Sequence, residues 1–259
     1  KCLNKKRRPK ASLSMKLEEL GLSFMAASLE SYLADQSRNE NTLLERLTDL
    51  VDLEYIPRKE RAARTRLKIS GMPQYKQLSD FDLSWLKGGL SRAKLEELGS
   101  LTFIDRKENV FLIGTSGVGK THLLLGLGTR ACQNGFSAYY MTCHDLVETL
   151  VRARDQNRLK RKLDWFRKPN VLLIDEVGYE PLTAEQAHVF FQLINIRYEC
   201  GSIIMTSNKS FSKWAELMSD EAVATAMLDR LLHHSHTLSL QADSYRMKDR
   251  LKVGAVGFE

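Results

Sequence analysis

The sequence has no long apolar stretch, no internal repeats and few cysteines, and these absences exclude several classes of protein. No apolar run approaches the ~20 residues that cross a bilayer, so a membrane protein is not predicted. The four cysteines never stand at C-x-x-C spacing, which favours reduced, structural thiols in a cytoplasmic protein. Residues 1–14 are basic but lack the apolar centre of a secretory signal. We expect this leader to be disordered.

The most informative segment is a phosphate-binding loop. Residues 114–121 match the pattern G-x-x-x-x-G-K-[ST] in full. The loop backbone would surround the β-phosphate, Lys120 would reach the β- and γ-oxygens, and the Thr121 hydroxyl would bind Mg²⁺. An apolar strand over 109–113 and a helix over 121–132 are predicted on either side. The residues predicted to bind ATP are therefore Gly114, Thr115, Ser116, Gly117, Val118, Gly119, Lys120 and Thr121.

A second apolar segment ends in two acids and predicts hydrolysis as well as binding. Residues 170–176 read Asn-Val-Leu-Leu-Ile-Asp-Glu, as expected of a parallel strand buried on both faces. Asp175 would hold Mg²⁺, whereas Glu176 would orient and deprotonate the attacking water. A protein that only binds nucleotide needs the first acid alone. Asn208 follows another apolar strand at its carboxyl end, where open α/β sheets bind ligands, and would hold the same water or the γ-phosphate.

These elements occur in the order typical of AAA+ ATPases, and most of the chain resembles IstB, the helper ATPases of bacterial insertion sequences, which are related to the helicase loader DnaC. The resemblance is carried by the phosphate loop and by residues 58–64, 81–82, 172–178, 206–208, 228–231 and 244–246. It implies that Arg230 is an arginine finger that reaches a neighbouring subunit's nucleotide. It also implies that Arg246 is a sensor near the γ-phosphate of its own subunit.

The same resemblance implies a set of partners. An IstB-like protein is expected to form an ATP-bridged ring or spiral of identical subunits on duplex DNA. It would deform that DNA and deliver it to the transposase of the same insertion sequence. Deformation would allow target selection with few base contacts. Such a protein would work in the bacterial cytoplasm, associated with the nucleoid when bound to DNA.

Positive charge is concentrated in three blocks. Residues 1–10, 57–76 and 152–168 each carry net +6, although the whole chain carries only +7, so the remainder is acidic. Clustered positive charge is typical of proteins that bind a polyanion. The spacing of Arg61, Arg64 and Lys68 would place them on one helix face along a phosphate backbone. The predicted DNA contacts are Arg58, Arg61, Arg64 and Lys68 in the second block, and Arg152, Arg154, Arg158 and Lys160 in the third.

Periodicity predicts an α/β fold, with a P-loop AAA+ core of parallel strands flanked by helices and a small all-helical domain before it. In the helical domain, one helix is expected from Leu17 to Leu29, a second after a capping box at Thr42, and a third from Pro57 to Ile69. The predicted domains are the leader (1–14), the DNA-binding helical domain (15–73), a linker (74–90) and the ATPase domain (91–259). Strands are expected near 110–113, 138–141, 171–175, 202–206 and 236–240.

The predicted function is that of an ATP-dependent, DNA-binding regulator of transposition. A replicative helicase loader would share the ATPase core. The front domain argues against a helicase loader, because it carries a basic helix. A P-loop kinase for a small hydroxyl acceptor is a more distant alternative, since kinases usually lack the acid pair together with the strand-end asparagine. No set of side chains suited to reading base edges stands out, so low sequence specificity is expected.

Overall fold

The computed structural model describes residues 12–35 and 41–242, in two compact units that divide between Ala63 and Arg64. The first unit contains helices α1 (Leu13–Glu19) and α2 (Ser23–Ala34) and most of α3 (Leu43–Ile69). The unit boundary therefore lies inside α3 and not in the predicted linker, which belongs to the second unit. Residues 1–11 of the predicted leader lie outside the described part of the chain.

Glycine interrupts the first predicted helix. The helix expected from Leu17 to Leu29 is two helices, because Gly21 lies between them with φ of 73°. That left-handed conformation is readily adopted only by glycine and ends the first helix.

Proline does not interrupt the helical segment that follows. The structure has a single helix of 27 residues with Pro57 inside it, in place of the two helices predicted. An interior proline costs about 3 kcal/mol, so the remaining turns must outweigh that cost. The predicted capping box is confirmed: the Thr42 N–H donates to Glu45 at 2.7 Å, and the Glu45 N–H donates to the Thr42 hydroxyl at 3.3 Å.

A buried glutamate organises the first unit. Glu54 is only 5% exposed, and its Oε2 accepts the backbone N–H groups of Phe24 and Met25 at 2.9 and 3.1 Å. It thereby satisfies donors at the beginning of α2, which no side chain of the N-cap residue satisfies. Arg58 forms an ion pair with the same carboxylate at 2.8 Å and donates to the Gly21 carbonyl. This predicted DNA contact therefore also has a structural role.

The second unit contains five parallel strands in the order β2-β3-β4-β1-β5, which confirms the predicted fold class. The strands are β1 (Asn109–Gly114), β2 (Ala138–Thr142), β3 (Val171–Val177), β4 (Ser202–Ser207) and β5 (Ser235–Leu240). The helices are α4 (Arg92–Gly99), α5 (Thr102–Asp105), α6 (Lys120–Gln133), α7 (Cys143–Asp155), α8 (Leu159–Arg167), α9 (Ala184–Arg197), α10 (Trp214–Met218) and α11 (Glu221–Leu232). Over the described residues, no helix has the length and apolarity required to span a bilayer.

Helices cover both faces of the sheet, so the strands are apolar on both sides. Phe111 packs with α7–α11, whereas its neighbours Val110 and Leu112 pack with α4, α5 and α6 on the opposite face. Successive residues of a strand point to opposite faces, and both faces here are core. Continuous apolar strands are the consequence.

The segment predicted as a linker is part of this core. Leu78 packs so closely on α6 that a Cβ at Gly126 would lie 2.8 Å from its side chain. Lys87 donates its N–H to the Gln241 carbonyl at 2.7 Å, beside the outer strand β5. At the other edge, Ser70 accepts the N–H of Tyr140 in β2 at 2.8 Å. Edge strand β2 thus has a backbone partner, and the segment before α4 pairs with Gln241, the residue that follows edge strand β5.

A buried arginine joins α9 to the beginnings of β3 and β4. Arg197 is 1% exposed, and its guanidinium donates to the carbonyls of Phe166, Pro169, Asn170 and Ser202 at 2.7–3.3 Å. Burial lowers the pKa of Arg197 to about 10, which still leaves it protonated at neutral pH. Its side chain therefore anchors the end of α8 to the sheet.

Replacing Arg197 with methionine should destabilise the protein strongly, because buried carbonyls would lose their donors. Each lost bond to a charged donor is worth about 1.5–3 kcal/mol, and we expect a total loss of at least ~3 kcal/mol. Thermal unfolding should then shift down by roughly 6–12 °C. The control is Arg167→Met, at an exposed arginine on α8, which should change stability by under ~0.5 kcal/mol. Equal melting temperatures for the two variants would contradict the anchoring role.

Candidate active site

The phosphate loop connects β1 to α6 in the conformation that its glycines allow. Gly119 has φ of 96°, and a Cβ there would lie 2.6 Å from the ring of Phe81. Only glycine fits this position without displacement. Lys120 begins α6, and its ammonium donates to the carbonyls of Gly114 and Thr115, both at 2.7 Å. The N-terminus of α6 and a lysine thus point to one place, which is suited to a phosphate group.

Strand order brings the two acids and the asparagine to this loop. Strand β4 lies between β1, which leads into the phosphate loop, and β3, which carries Asp175. Asn208 directly follows β4, so it lies between the loop and Asp175. The Thr121 hydroxyl donates to Asp175 Oδ1 at 3.1 Å, although 54 positions separate the two residues. These two oxygens are close enough to share a cation, and both are hard ligands of the kind Mg²⁺ prefers.

A bulge in β3 sets the direction of the second acid. The register between β3 and β4 shifts between Ile174 and Val177, and Glu176 has φ of 62°. That conformation is strained for glutamate, and such strain clusters at functional sites. The Glu176 N–H donates to the Thr206 hydroxyl at 2.9 Å, while the residue itself is exposed. The bulge therefore leaves Asp175 buried and turns Glu176 toward solvent.

Two further hydroxyls hold Asp175, and neither was assigned this role in the sequence analysis. The Thr206 hydroxyl from β4 donates to Oδ1, and the Tyr140 hydroxyl from β2 donates to Oδ2 at 3.2 Å. Burial, then the charge of Asp175, raises the pKa of Tyr140, so the phenol remains a proton donor. Asp175 is 3% exposed, and these donors offset the cost of burying its charge.

The loop and the acids open into a cavity of about 730 Å³, a size typical of ligand sites. One wall consists of the supposed linker, which contributes Phe81, Trp85 and Leu86. Phe81 also packs edge-on against His122 at 5.6 Å. This apolar wall suits a purine base beside the phosphate loop. The sequence signal for it was Phe81-Asp82, which supported the resemblance but was not assigned a role.

The predicted ATP site is thus assembled in one place. The cavity is lined by Ser116, Gly117, Val118, Gly119, Lys120, Thr121, Asp175, Glu176 and Asn208 from the predicted set. Gly114 and Thr115 contact Lys120. These residues fit a magnesium-bound nucleoside triphosphate, since backbone donors and an ammonium face the phosphates, while a hydroxyl and a buried carboxylate face the cation. Arg246 lies outside the described residues.

Arg230 lies on α11 and is not among the residues lining this cavity in the described part of the chain. Its guanidinium donates to the Ala226 carbonyl at 3.2 Å and lies 5.0 Å from the ring centroid of Phe191. Among the described residues, Arg230 thus does not contribute to the nucleotide cavity of its own chain.

The third basic block forms a groove beside α7 and α8. Its volume is about 710 Å³, and its lining includes Arg152 and Arg158, two of the predicted DNA contacts. Arg161, Lys162, Lys168 and Trp165 also line it and had not been singled out. Arg154 and Lys160 do not line it, and Arg154 forms ion pairs with Asp155 at 2.9 Å and with Glu185. We expect Arg154 to contribute little to DNA binding, because two acids already pair with it.

The second basic block lies on α3. Arg61, Arg64 and Lys68 are exposed on this helix. The last turn of α3 belongs to the second unit and is held within it, since the Arg66 side chain donates to the Cys132 carbonyl at 2.8 Å. Arg61, Arg64 and Lys68 thus place exposed positive charge on one regular helix.

Comparison with known proteins identifies the relatives of this chain. A family profile described as "IstB-like ATP binding protein" matches residues 15–253. The chain is 41% identical to an ATP-binding protein of insertion sequence IS21 from Pseudomonas aeruginosa, covering 94% of this chain and 92% of that protein. It is also 41% identical to a corresponding protein of IS5376 from Geobacillus stearothermophilus, covering 89% and 92%. The crystal structure of the DnaC helicase loader shares the fold, with a TM-score of 0.52 at 20% identity over 64% of this chain and 96% of that one.

Proposed function

The chain belongs to the family of IstB-like ATP-binding proteins, and we propose that it hydrolyses ATP with Mg²⁺ while assembled on duplex DNA and delivers that DNA to a transposase. The observation that carries the ATPase proposal is the convergence of Lys120, Thr121, Asp175, Glu176 and Asn208 on one cavity. A binding protein without hydrolysis would not need Glu176 exposed beside a buried Asp175. The transposase is proposed because the relatives are named as proteins of insertion sequences.

In the proposed reaction, the protein orients a water against the γ-phosphate. Glu176 accepts the water proton as the new P–O bond forms and the bond to the β-phosphate bridge breaks. Lys120 and the loop N–H groups stabilise charge on the phosphate oxygens, and Asn208 orients the water. Thr121 and Asp175 would hold Mg²⁺, which would supply further positive charge to the phosphates when bound.

DNA binding is proposed from the distribution of exposed cations. Arg61, Arg64 and Lys68 would contact phosphates along α3, and the groove with Arg152 and Arg158 would supply a second contact. Phosphate contacts fix position without reading sequence, so low sequence preference is expected. Arg230 would complete the nucleotide site of a neighbouring subunit, which makes ATP binding and assembly on DNA interdependent.

The test of DNA binding is the salt dependence of duplex affinity. Each phosphate contact contributes about 0.9 to the negative slope of log K against log [salt]. Changing Arg61, Arg64 and Lys68 together to alanine should flatten that slope by about 2–3 units and weaken binding equally on unrelated duplexes. Basal ATPase activity should persist, because none of the three lines the nucleotide cavity.

The matched control removes three exposed cations elsewhere, Lys16, Arg92 and Lys213. It lowers the net charge equally, so it should leave the slope within about half a unit of the parent value if the α3 contacts are specific. Equal flattening by both triple variants would refute a contact role for α3. A release of phosphate that required a small hydroxyl acceptor and ignored DNA would instead favour a kinase.

A further inference from the structure

We propose that Tyr140 is a positioning residue for the magnesium site, because its hydroxyl fixes the carboxylate of Asp175 that would hold the ion. The inference rests on the proposed function, since it assumes that magnesium-bound ATP occupies the cavity. Tyr140 does not line that cavity, so it would act through Asp175 and not by touching the nucleotide.

The two oxygens of Asp175 are held by different groups. Oδ1 accepts the Thr121 hydroxyl at 3.1 Å, the Glu176 N–H at 3.2 Å and the Thr206 hydroxyl. Oδ2 accepts the Tyr140 hydroxyl at 3.2 Å, and no other donor to Oδ2 is found among residues 12–35 and 41–242. Over the described residues, the Tyr140 hydroxyl is therefore the donor that fixes the second oxygen.

Tyr140 is itself held from both sides of its strand. In β2 it pairs with Leu173 of β3, while its N–H donates in the other direction to the Ser70 carbonyl at 2.8 Å. Gly71 lies alongside, where a Cβ would be in ordinary van der Waals contact with the Tyr140 carbonyl oxygen at 3.4 Å. Strand pairing and the end of α3 thus fix the backbone from which the phenol extends. A ligand-orienting group needs such support to hold its geometry.

Packing alone would not require this hydroxyl. A phenylalanine would fill the same space, yet it would leave Oδ2 of a nearly buried carboxylate without its donor. Groups that hydrogen-bond to metal ligands typically contribute 10- to 100-fold to metal affinity. The Tyr140 hydroxyl is therefore expected to act on cation binding more than on folding or on contacts with the base.

The experiment compares Tyr140→Phe with the parent by calorimetric titration of ATP at a series of Mg²⁺ concentrations and in EDTA. The Mg²⁺ concentration that gives half of the gain in ATP affinity should rise about 10-fold or more in the variant. Affinity in EDTA should stay within about twofold, because Lys120 and the loop are unchanged. Superimposable Mg²⁺ titrations for parent and variant would overturn the proposal.

The matched control is Tyr139→Phe, which removes the neighbouring hydroxyl. Tyr139 points to the opposite face, where its ring centroid lies 4.5 Å from that of Trp165. It should keep the Mg²⁺ dependence of the parent, and thermal unfolding should show both variants folded. If both variants needed equally higher Mg²⁺ concentrations, general destabilisation would explain the change and the positioning role would be refuted. A parent protein that gains no ATP affinity from Mg²⁺ would refute the proposed ATPase itself, a result distinct from an unchanged Tyr140→Phe.

Discussion

Glu176→Gln should bind ATP as tightly as the parent and hydrolyse it about 10²- to 10⁴-fold more slowly, since only the group that accepts the water proton is lost. Lys120→Ala should instead lose ATP binding, because the cation that pairs with the β- and γ-oxygens is removed. The strained conformation of Glu176, with φ of 62°, is retained with glutamine, which has the same shape. Calorimetric ATP binding and phosphate release, measured side by side, separate the two defects.

Glu180→Gln is the matched control for this pair. Glu180 is an exposed acid four positions further on, 3.4 Å from His144, and it does not line the cavity. Its replacement should leave both ATP binding and hydrolysis at the parent level. Hydrolysis by Glu176→Gln at the parent rate would exclude Glu176 as the base.

Arg230→Ala should lower the hydrolysis rate of the assembled protein by about 10³- to 10⁵-fold, the range measured for arginine fingers. ATP binding by a single subunit should persist, because Arg230 is not among the residues lining the cavity of its own chain. Removing a different exposed cation by Arg92→Ala should have no such effect, since Arg92 is 81% exposed with only a weak ion pair at 4.0 Å. Phosphate release at saturating ATP and DNA is the measurement.

Mixing two inactive variants tests whether the site is shared. Arg230→Ala chains retain the loop and the base, while Glu176→Gln chains bind ATP and retain Arg230. Random assembly places a competent site at about a quarter of head-to-tail interfaces, so an equimolar mixture should recover up to that fraction of the parent rate. Mixtures that stay as inactive as the separate variants would show that Arg230 does not complete a neighbour's site.

The linker illustrates a limit of the sequence prediction. Residues 74–90 have turn composition and no periodicity, so they were expected only to join two domains. Leu78 packs against α6 because Gly126 has no side chain to obstruct it, and Gly126 lies 48 positions further along the chain. Close contacts between such distant positions leave no local pattern. Local sequence therefore did not predict that Phe81 and Trp85 form a wall of the cavity, although Phe81-Asp82 supported the family resemblance.

Helix boundaries show a second limit. A proline at the start of a regular pattern favours a helix N-terminus, since its missing N–H costs nothing there. Pro57 nevertheless lies inside α3, because local preference is only one contribution to helix stability. The capping box at Thr42 was predictable, since all of its partners lie within four residues. Local signals thus succeeded where the interaction itself was local.

Short spacings in the sequence were enough to predict the phosphate loop, the acid pair and the parallel α/β core: glycines in a turn, acids at a strand end, and continuous apolar strands. The folded structure was needed to show that β4 lies between β1 and β3, that a bulge turns Glu176 outward, and that Tyr140 and Thr206 hold Asp175. Tyr140 and Asp175 are 35 positions apart. Their contact follows from strand order, which results from burying both faces of the whole sheet at once.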